Sequence, residues 1–341
     1  MTRPRAIACT LAALLTLAAL SGCTAPKAIE SAWPTATAER AVPRPAGSVR
    51  WPLTGLPAPS PESIVVRVVS VKIENSPAAR PQTGLDKADI VYETVTEGGI
   101  TRFNALFQSQ TPPSVGPVRS ARPSDFAIVP QYLALFAHCG GDPAVRTQLK
   151  NRSLFDDMDQ FFNPGPYNRD KSRKAPHNLY LSIVKLRIAA VQNRGYEATA
   201  TITGLAFEKA SAPASPTVTQ VTIPFSASNV VTWKYNVASG AYARLIGGVP
   251  HVDKASRKQY TASNVVVMWA LVQKYAAAGA TSQVQEIQLT GTGRVTVFHD
   301  GQRVDGTWHA SATAPPVLRD GAGNVIPLTP GNTWFQVIGN D

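Results

Sequence analysis

Val91–Asp142 reads VYETVTEGGITRFNALFQSQTPPSVGPVRSARPSDFAIVPQYLALFAHCGGD, with polar residues of binding or catalytic type set among strand-like apolar runs. Ala88–Glu97 and Ile100–Ser109 read as two strands separated by Gly98-Gly99, the two-residue signal for a tight hairpin whose turn needs positive φ. With those glycines as the loop, Glu97 opposes Ile100, Val95 opposes Arg102 and Glu93 opposes Asn104. That register predicts Glu93, Glu97, Arg102 and Asn104 on one face, and Tyr92, Thr94, Phe103, Ala105 and Phe107 on the other. Arg102 then lies diagonal to both glutamates, as part of a ligand site or as a cross-strand ion pair on a solvated face.

Downstream, Gly116–Pro123 (GPVRSARP) places Arg119 and Arg122 three apart in a loop stiffened by Gly and Pro. A guanidinium fork matches carboxylate or phosphate oxygens two at a time, so the pair reads as an anion clamp, or as a lock onto Glu93 or Glu97. A helix is expected from near Ser124 and Asp125, strained by Pro130. Leu133–Ala137 reads as a short buried strand with His138 at its carboxyl end, followed by a helix with Asp142 as N-cap and Pro143 at N1. Asp142 would occupy the free N–H groups of that helix, which argues against a phosphate there. Further on, Ala175-Pro176-His177-Asn178-Leu179-Tyr180 adds His177 and Asn178 to the candidates, and Ser182 caps a helix over Ile183–Asn193 stopped by Gly195.

Working toward the amino terminus, Val65–Glu74 (VVRVVSVKIE) has the β-branched density of a buried strand. Residues 23–50 are rich in Ala, Pro, Thr and Ser without period, which reads as an unstructured membrane tether. Before them, Arg3 and Arg5 precede an apolar run over Ala6–Leu20 that is too short for a permanent span, so residues 1–22 read as an export signal. The signal ends in Leu20-Ser21-Gly22-Cys23, similar to a bacterial lipobox, in which the cysteine thiol takes a lipid; Cys23 is therefore the expected lipidation site. Its removal leaves only Cys139 besides the lipidated residue, so no internal disulfide between free cysteines is available and a core must carry stability.

Beyond Phe207 the texture changes to short strands with Asp-Gly and Ser-Gly turns, over Val218–Ile223, Val230–Tyr235, Ala241–Leu245, Asn264–Trp269, Gln285–Leu289, Arg294–His299, Arg303–Trp308 and Thr333–Ile338. The expected fold class is α+β, with a mixed α/β domain over 51–206 followed by a β-rich domain over 213–341. No cofactor or metal motif is read. Gly291-Thr292-Gly293 lies between strands and not before a helix, and Asp156, Asp157 and Asp159 lack calcium-loop spacing.

The chain has 341 residues with 33 Lys and Arg against 22 Asp and Glu, a formal charge of +11 that falls to +9 without Arg3 and Arg5. On an exported, membrane-tethered chain this balance suits an anionic envelope polymer or phosphorylated glycan, and makes nucleic acid an unexpected partner. The charge is dispersed apart from Lys150 with Arg152 and Arg169, Lys171, Arg173 and Lys174.

Pro52-Leu53-Thr54-Gly55, Ala79-Arg80-Pro81-Gln82, Ala88–Glu93, Glu97–Arg102, Gly116–Pro123, Ala175–Tyr180, Gly306-Thr307-Trp308 and Pro330–Trp334 together resemble the YerB-like lipoproteins, an exported bacterial family of unestablished function. The resemblance implies one lipoprotein with an amino-terminal domain bearing the Glu, Arg and His motifs and a β-rich carboxy-terminal domain. It carries over no reaction. Three readings follow for the extracytoplasmic membrane face: a lipoprotein holding an anionic ligand or scaffolding the envelope, an envelope hydrolase or transferase using Glu93 or Glu97 with His138 or His177, and an adaptor binding a protein partner through Trp233, Trp269, Trp308 and Trp334.

Overall fold

The strand Val69–Glu74 (VSVKIE) alternates apolar and polar side chains, yet all six residues are buried. Val69, Val71 and Ile73 enter one hydrophobic cluster. Ser70, Lys72 and Glu74 point to the opposite face, where each finds a polar partner. A period-2 strand buried on both sides, with one side polar, is the feature that positions the site.

The structure is a computed structural model that describes residues 49–150, 156–209, 217–275 and 284–340; Cys23, the signal, nearly all of the tether, and Arg152 lie outside the described residues. It is a mixed fold of large strand content and few helices. A ten-stranded sheet runs in the order Val317–Asp320, Gln302–Ala310, Gly291–His299, Asn264–Ala270, Thr333–Gly339, Ile90–Val95, Thr101–Phe107, Val69–Glu74, Leu135–Ala137, Asp156–Asp157. Thr333–Gly339 is the seam: it pairs in parallel with Asn264–Ala270 on one side and with Ile90–Val95 on the other. The described residues belong to one compact unit, so the amino- and carboxy-terminal segments share a sheet.

A five-stranded sheet, including Gln220–Ser226, Asn229–Asn236 and Ala241–Ile246, contributes Val221, Trp233 and Tyr242 to the same apolar cluster as Val71, Phe103 and Trp334. Trp233 meets Trp334 edge-on at 5.1 Å and Phe103 meets Trp334 at 5.5 Å, contacts that add to the ~1.5–3 kcal/mol from burying each large side chain. The opposite face of the large sheet carries Tyr92, Leu106 and Phe335 together with the helix Asp125–Gln131. Of the four tryptophans in the carboxy-terminal part, Trp233, Trp308 and Trp334 are core residues and Trp269 is half-exposed, so these four do not form a docking face.

The helix Asp125–Gln131 forms where expected, with Pro130 inside it. Asp142 accepts from the Ala144 N–H at 3.1 Å at the start of the helix Pro143–Lys150. Ser182 accepts from the Lys185 N–H at 3.4 Å, and Gly195 ends Ile183–Arg194 in the left-handed region.

The hairpin register differs from the expected one by a single residue. Thr94 opposes Arg102, Glu93 opposes Phe103 and Tyr92 opposes Asn104, because the Thr96 N–H donates to the Ile100 carbonyl at 2.8 Å and closes a three-residue loop of Glu97, Gly98 and Gly99. Gly98 and Gly99 both have positive φ, 74° and 72°, so the glycine signal was sound and the loop was one residue longer. A one-residue shift exchanges faces. Glu93 therefore lies on the opposite side of the sheet from Arg102 and Asn104.

Candidate functional site

The site is built on the polar face of the sheet. Glu74 and Arg102 are cross-strand partners. The Gly116–Pro123 loop is fixed beside them by its backbone: Arg119 N–H donates to the Lys72 carbonyl at 2.8 Å, Cys139 N–H donates to the Arg119 carbonyl at 3.0 Å, and Ala121 N–H donates to the Gly140 carbonyl at 2.9 Å. Those bonds aim Arg119 and Arg122 at the carboxyl end of the Val69–Glu74 strand and at the hairpin tip.

Each arginine of the loop has a carboxylate. Arg122 holds Glu97 through its Nε and Nη2, at 2.9 to 3.0 Å. Arg119 Nε lies 3.0 Å from the buried Glu74 Oε2 as an ion pair, at an angle that makes no hydrogen bond. His177 Nδ1–H donates to the same Glu74 oxygen at 2.8 Å. Beneath them Lys72 and Asp125 form a fully buried ion pair at 2.6 Å, and Asp125 also accepts from the Arg122 N–H at 2.7 Å. Burial pushes the Lys72 ammonium down, Asp125 opposes this, and the positive Arg102 and Arg122 add to the lowering.

Arg102 is the exception. Its side chain is 7% exposed, its Nη1–H donates to the Ser120 carbonyl at 2.8 Å, and its buried Nε has no acceptor. Among the described residues no carboxylate lies within ion-pair distance of it. Burial, then the charges of Arg122 and Arg119, pull its guanidinium down to about 9 against the opposing pull of Glu97 and Glu74, so it is still charged at neutral pH. Three arginines against Glu74 and Glu97 leave one uncompensated positive charge, centred on a buried donor without a partner.

Arg102, Arg119, Arg122, Glu97 and His177 thus come together, and Glu93, His138 and Asn178 do not join them. Glu93 faces the five-stranded sheet, fully buried, where it takes hydrogen bonds from Arg244, Asn75 and Thr101. Arg244, equally buried, sits over the rings of Phe103, Trp233 and Trp334 at 4.9 to 5.6 Å. His138 is buried between the Gly140 carbonyl at 2.9 Å and Asp157 at 2.8 Å. Burial alone would push its imidazole down; the hydrogen bond and charge of Asp157, then Asp159, outweigh it and hold it above the usual value. Asn178 accepts from Arg169 at 2.8 Å and donates to the carbonyls of Asp170 and Arg173, which makes it a brace for its own loop.

For Glu97, burial pushes the carboxyl up, but the hydrogen bonds and charge of Arg122 prevail and hold it below the usual range. That is the behaviour of a paired carboxylate, and a general acid needs the reverse. Cys139 is half-buried, and burial followed by the Asp159 charge raises its thiol, away from the thiolate a nucleophile needs.

Glu74, Lys72 and Asp125 were not singled out from sequence. The available signal was Ser70, Lys72 and Glu74 at i, i+2 and i+4 in an otherwise β-branched run, one polar strand face. Among the described residues no group of three or more His, Cys, Asp or Glu is placed to hold a metal ion, and no helix is long and apolar enough to cross a membrane. A separate cavity of about 410 Å³, lined by Thr83, Ser114, Asn168, Asp170, Tyr180, Lys254 and Ala255, includes none of the three arginines.

Residues 53–197 match the family described as "Protein of unknown function (DUF3048) N-terminal domain", and residues 221–335 match its "C-terminal domain". The chain is similar to YerB of Bacillus subtilis (strain 168), a candidate lipoprotein by its name, at 33% identity over 304 residues, 87% of this chain and 88% of that protein. The crystal structure of the YerB protein from Bacillus subtilis matches with a TM-score of 0.76 at 30% identity, over 85% of this chain and 97% of that one. With both domains matched in order and a relative aligned over most of its length, the chain belongs to the YerB-like family, built from these paired amino- and carboxy-terminal domains.

Proposed function

We propose that this chain is a lipoprotein, anchored through Cys23 to the outer face of the membrane, that holds an anionic envelope ligand at Arg102, Arg119 and Arg122. The lipobox-like Leu20-Ser21-Gly22-Cys23 and the name of the Bacillus subtilis relative support the anchor. The observation that carries the binding reading is Arg102: a buried guanidinium whose Nε has no acceptor and which, among the described residues, has no carboxylate within ion-pair distance, flanked by two more arginines. A ligand carboxylate or phosphodiester would supply the missing acceptor and cancel the residual charge. Arg119 and Arg122, partly exposed and already oriented by Glu74 and Glu97, would guide the anion in.

Titration with inorganic phosphate and with a phosphodiester-bearing envelope polymer tests the reading. Arg119→Ala with Arg122→Ala should weaken both while the protein stays folded; unchanged affinity would sink it. Mass spectrometry of the amino-terminal peptide from membranes tests the anchor, with loss of diacylglycerol expected in Cys23→Ser.

The Glu74–His177 pair favours a second reading, acid-base chemistry on the held anion. With Nδ1–H bound to Glu74, the other ring nitrogen is the one left to take a proton. A turnover pH profile that loses a limb in His177→Gln would establish it.

A further inference from the structure

Phe161 and Phe162 are adjacent, and each is more than three-fifths exposed, at 63% and 62%. Two neighbouring phenylalanines in water are a cost that a monomeric soluble surface seldom carries. Their display is built by the backbone. The buried Asp159 accepts from the Phe161 N–H at 3.2 Å and the Gly140 N–H at 2.9 Å, and its carbonyl takes the Phe162 and Asn163 N–H groups at 3.1 and 2.9 Å. The turn is therefore held rigidly with both rings outward.

Basic residues stand beside it. Arg146 and Lys150, one turn apart on the helix Pro143–Lys150, are exposed and line one concavity with Phe162. Asp157 and Asp159 line it too; Asp159 is buried, and one oxygen of each is engaged, Asp157 Oδ1 by His138 and the Asp159 N–H, and Asp159 Oδ1 by the Gly140 and Phe161 N–H groups. Among the described residues Arg146 and Lys150 have no carboxylate within ion-pair distance. We infer that the Phe161–Phe162 turn, with Arg146 and Lys150, docks onto an anionic lipid bilayer, the rings entering the headgroup boundary while the cations meet lipid phosphates. Aromatic side chains flanked by cations are the composition that suits that boundary.

The same turn lies close to the arginine site, since Gly140 both donates to Asp159 and accepts from Ala121. Docking would thus bring the Gly116–Pro123 loop near the membrane surface. The tether over Thr24–Val49 could extend up to about 90 Å, enough to let a lipid-anchored chain turn this face down. The inference rests on the membrane-tethered part of the proposed function and not on its ligand.

The test uses the chain from Thr24 onward, which lacks signal and anchor and keeps every described residue. It is cosedimented with phosphatidylcholine vesicles containing phosphatidylglycerol and with pure phosphatidylcholine vesicles. Binding is expected to the anionic vesicles, reduced at least about tenfold by Phe161→Ser with Phe162→Ser and by Arg146→Glu with Lys150→Glu, circular dichroism remaining unchanged. Absence of binding to anionic vesicles, equal binding by the phenylalanine variant, or a dimer that the variant abolishes would overturn the inference. Inorganic phosphate titration separates the two proposals: the phenylalanine variant should bind phosphate like the parent, and a parent that binds vesicles but no phosphate would refute only the ligand reading.

Discussion

Replacing Arg244 by Met should unfold this protein more readily than any single change on its surface. Arg244 and Glu93 are both fully buried, 2.8 Å apart, and Arg244 also reaches Gln336 and His251. Methionine fills the space among Phe103, Trp233 and Trp334 but leaves the Glu93 carboxylate with only the neutral donors Asn75 and Thr101. Stranding one partner of a buried ion pair costs about 3–5 kcal/mol. At roughly 2 °C per kcal/mol for a chain of this size, the melting temperature should fall by about 6–10 °C. Scanning calorimetry and urea unfolding would measure it. Adding Glu93→Leu should recover part of the loss, because no charge is then stranded. A single variant that melts within about 1 kcal/mol of the parent would refute the idea that Arg244 neutralises Glu93.

Gly306→Ala should destabilise by about 3 kcal/mol or more in urea unfolding, since an added Cβ would lie 1.9 Å from the Arg319 carbonyl oxygen across the paired strand. His251, pushed well down by burial and by the charges of Arg244 and Arg80, is neutral when folded and takes a proton when unfolded. Its contribution is therefore present above the ordinary histidine value and lost as pH falls below about 6.5, and His251→Gln should flatten the acid side of a stability profile. His138 has the opposite sign, being held above its ordinary value: the stability it supplies is full below that value and is lost as pH rises through the folded pKa. Asp157→Asn should remove that alkaline loss in the same urea series.

The local elements were legible because local physics sets them. Ser182 and Gly195 bracket their helix, Asp142 caps the next one upstream, and most of the carboxy-terminal strands lie within a few residues of their apolar runs. What a local reading could not supply was distance in sequence. Thr333–Ile338 read as a strand, but nothing in it names Ile90–Val95 as its parallel partner. The hairpin shows how little separates a right motif from a wrong geometry: Gly98 and Gly99 do take positive φ, yet including Glu97 in the loop sends Glu93 to the core and leaves Arg102 on the site face. The two arginines of the Gly116–Pro123 loop were found by their chemistry, and the carboxylate held by Arg119, Glu74, was hidden in a run that reads as an ordinary buried strand.

The central claim is that Arg102 is kept charged and short of a partner for the sake of an incoming anion. Isothermal titration of phosphate or a phosphodiester into Arg102→Met, with the melting temperature measured in parallel, tests it most directly. Loss of a charge-assisted contact predicts affinity at least about tenfold weaker. Stability should hold or rise, because the substitution removes a buried charge that Arg119 and Arg122 repel. Unchanged affinity, or a variant destabilised by more than about 2 kcal/mol, would show that Arg102 serves the fold and not a ligand.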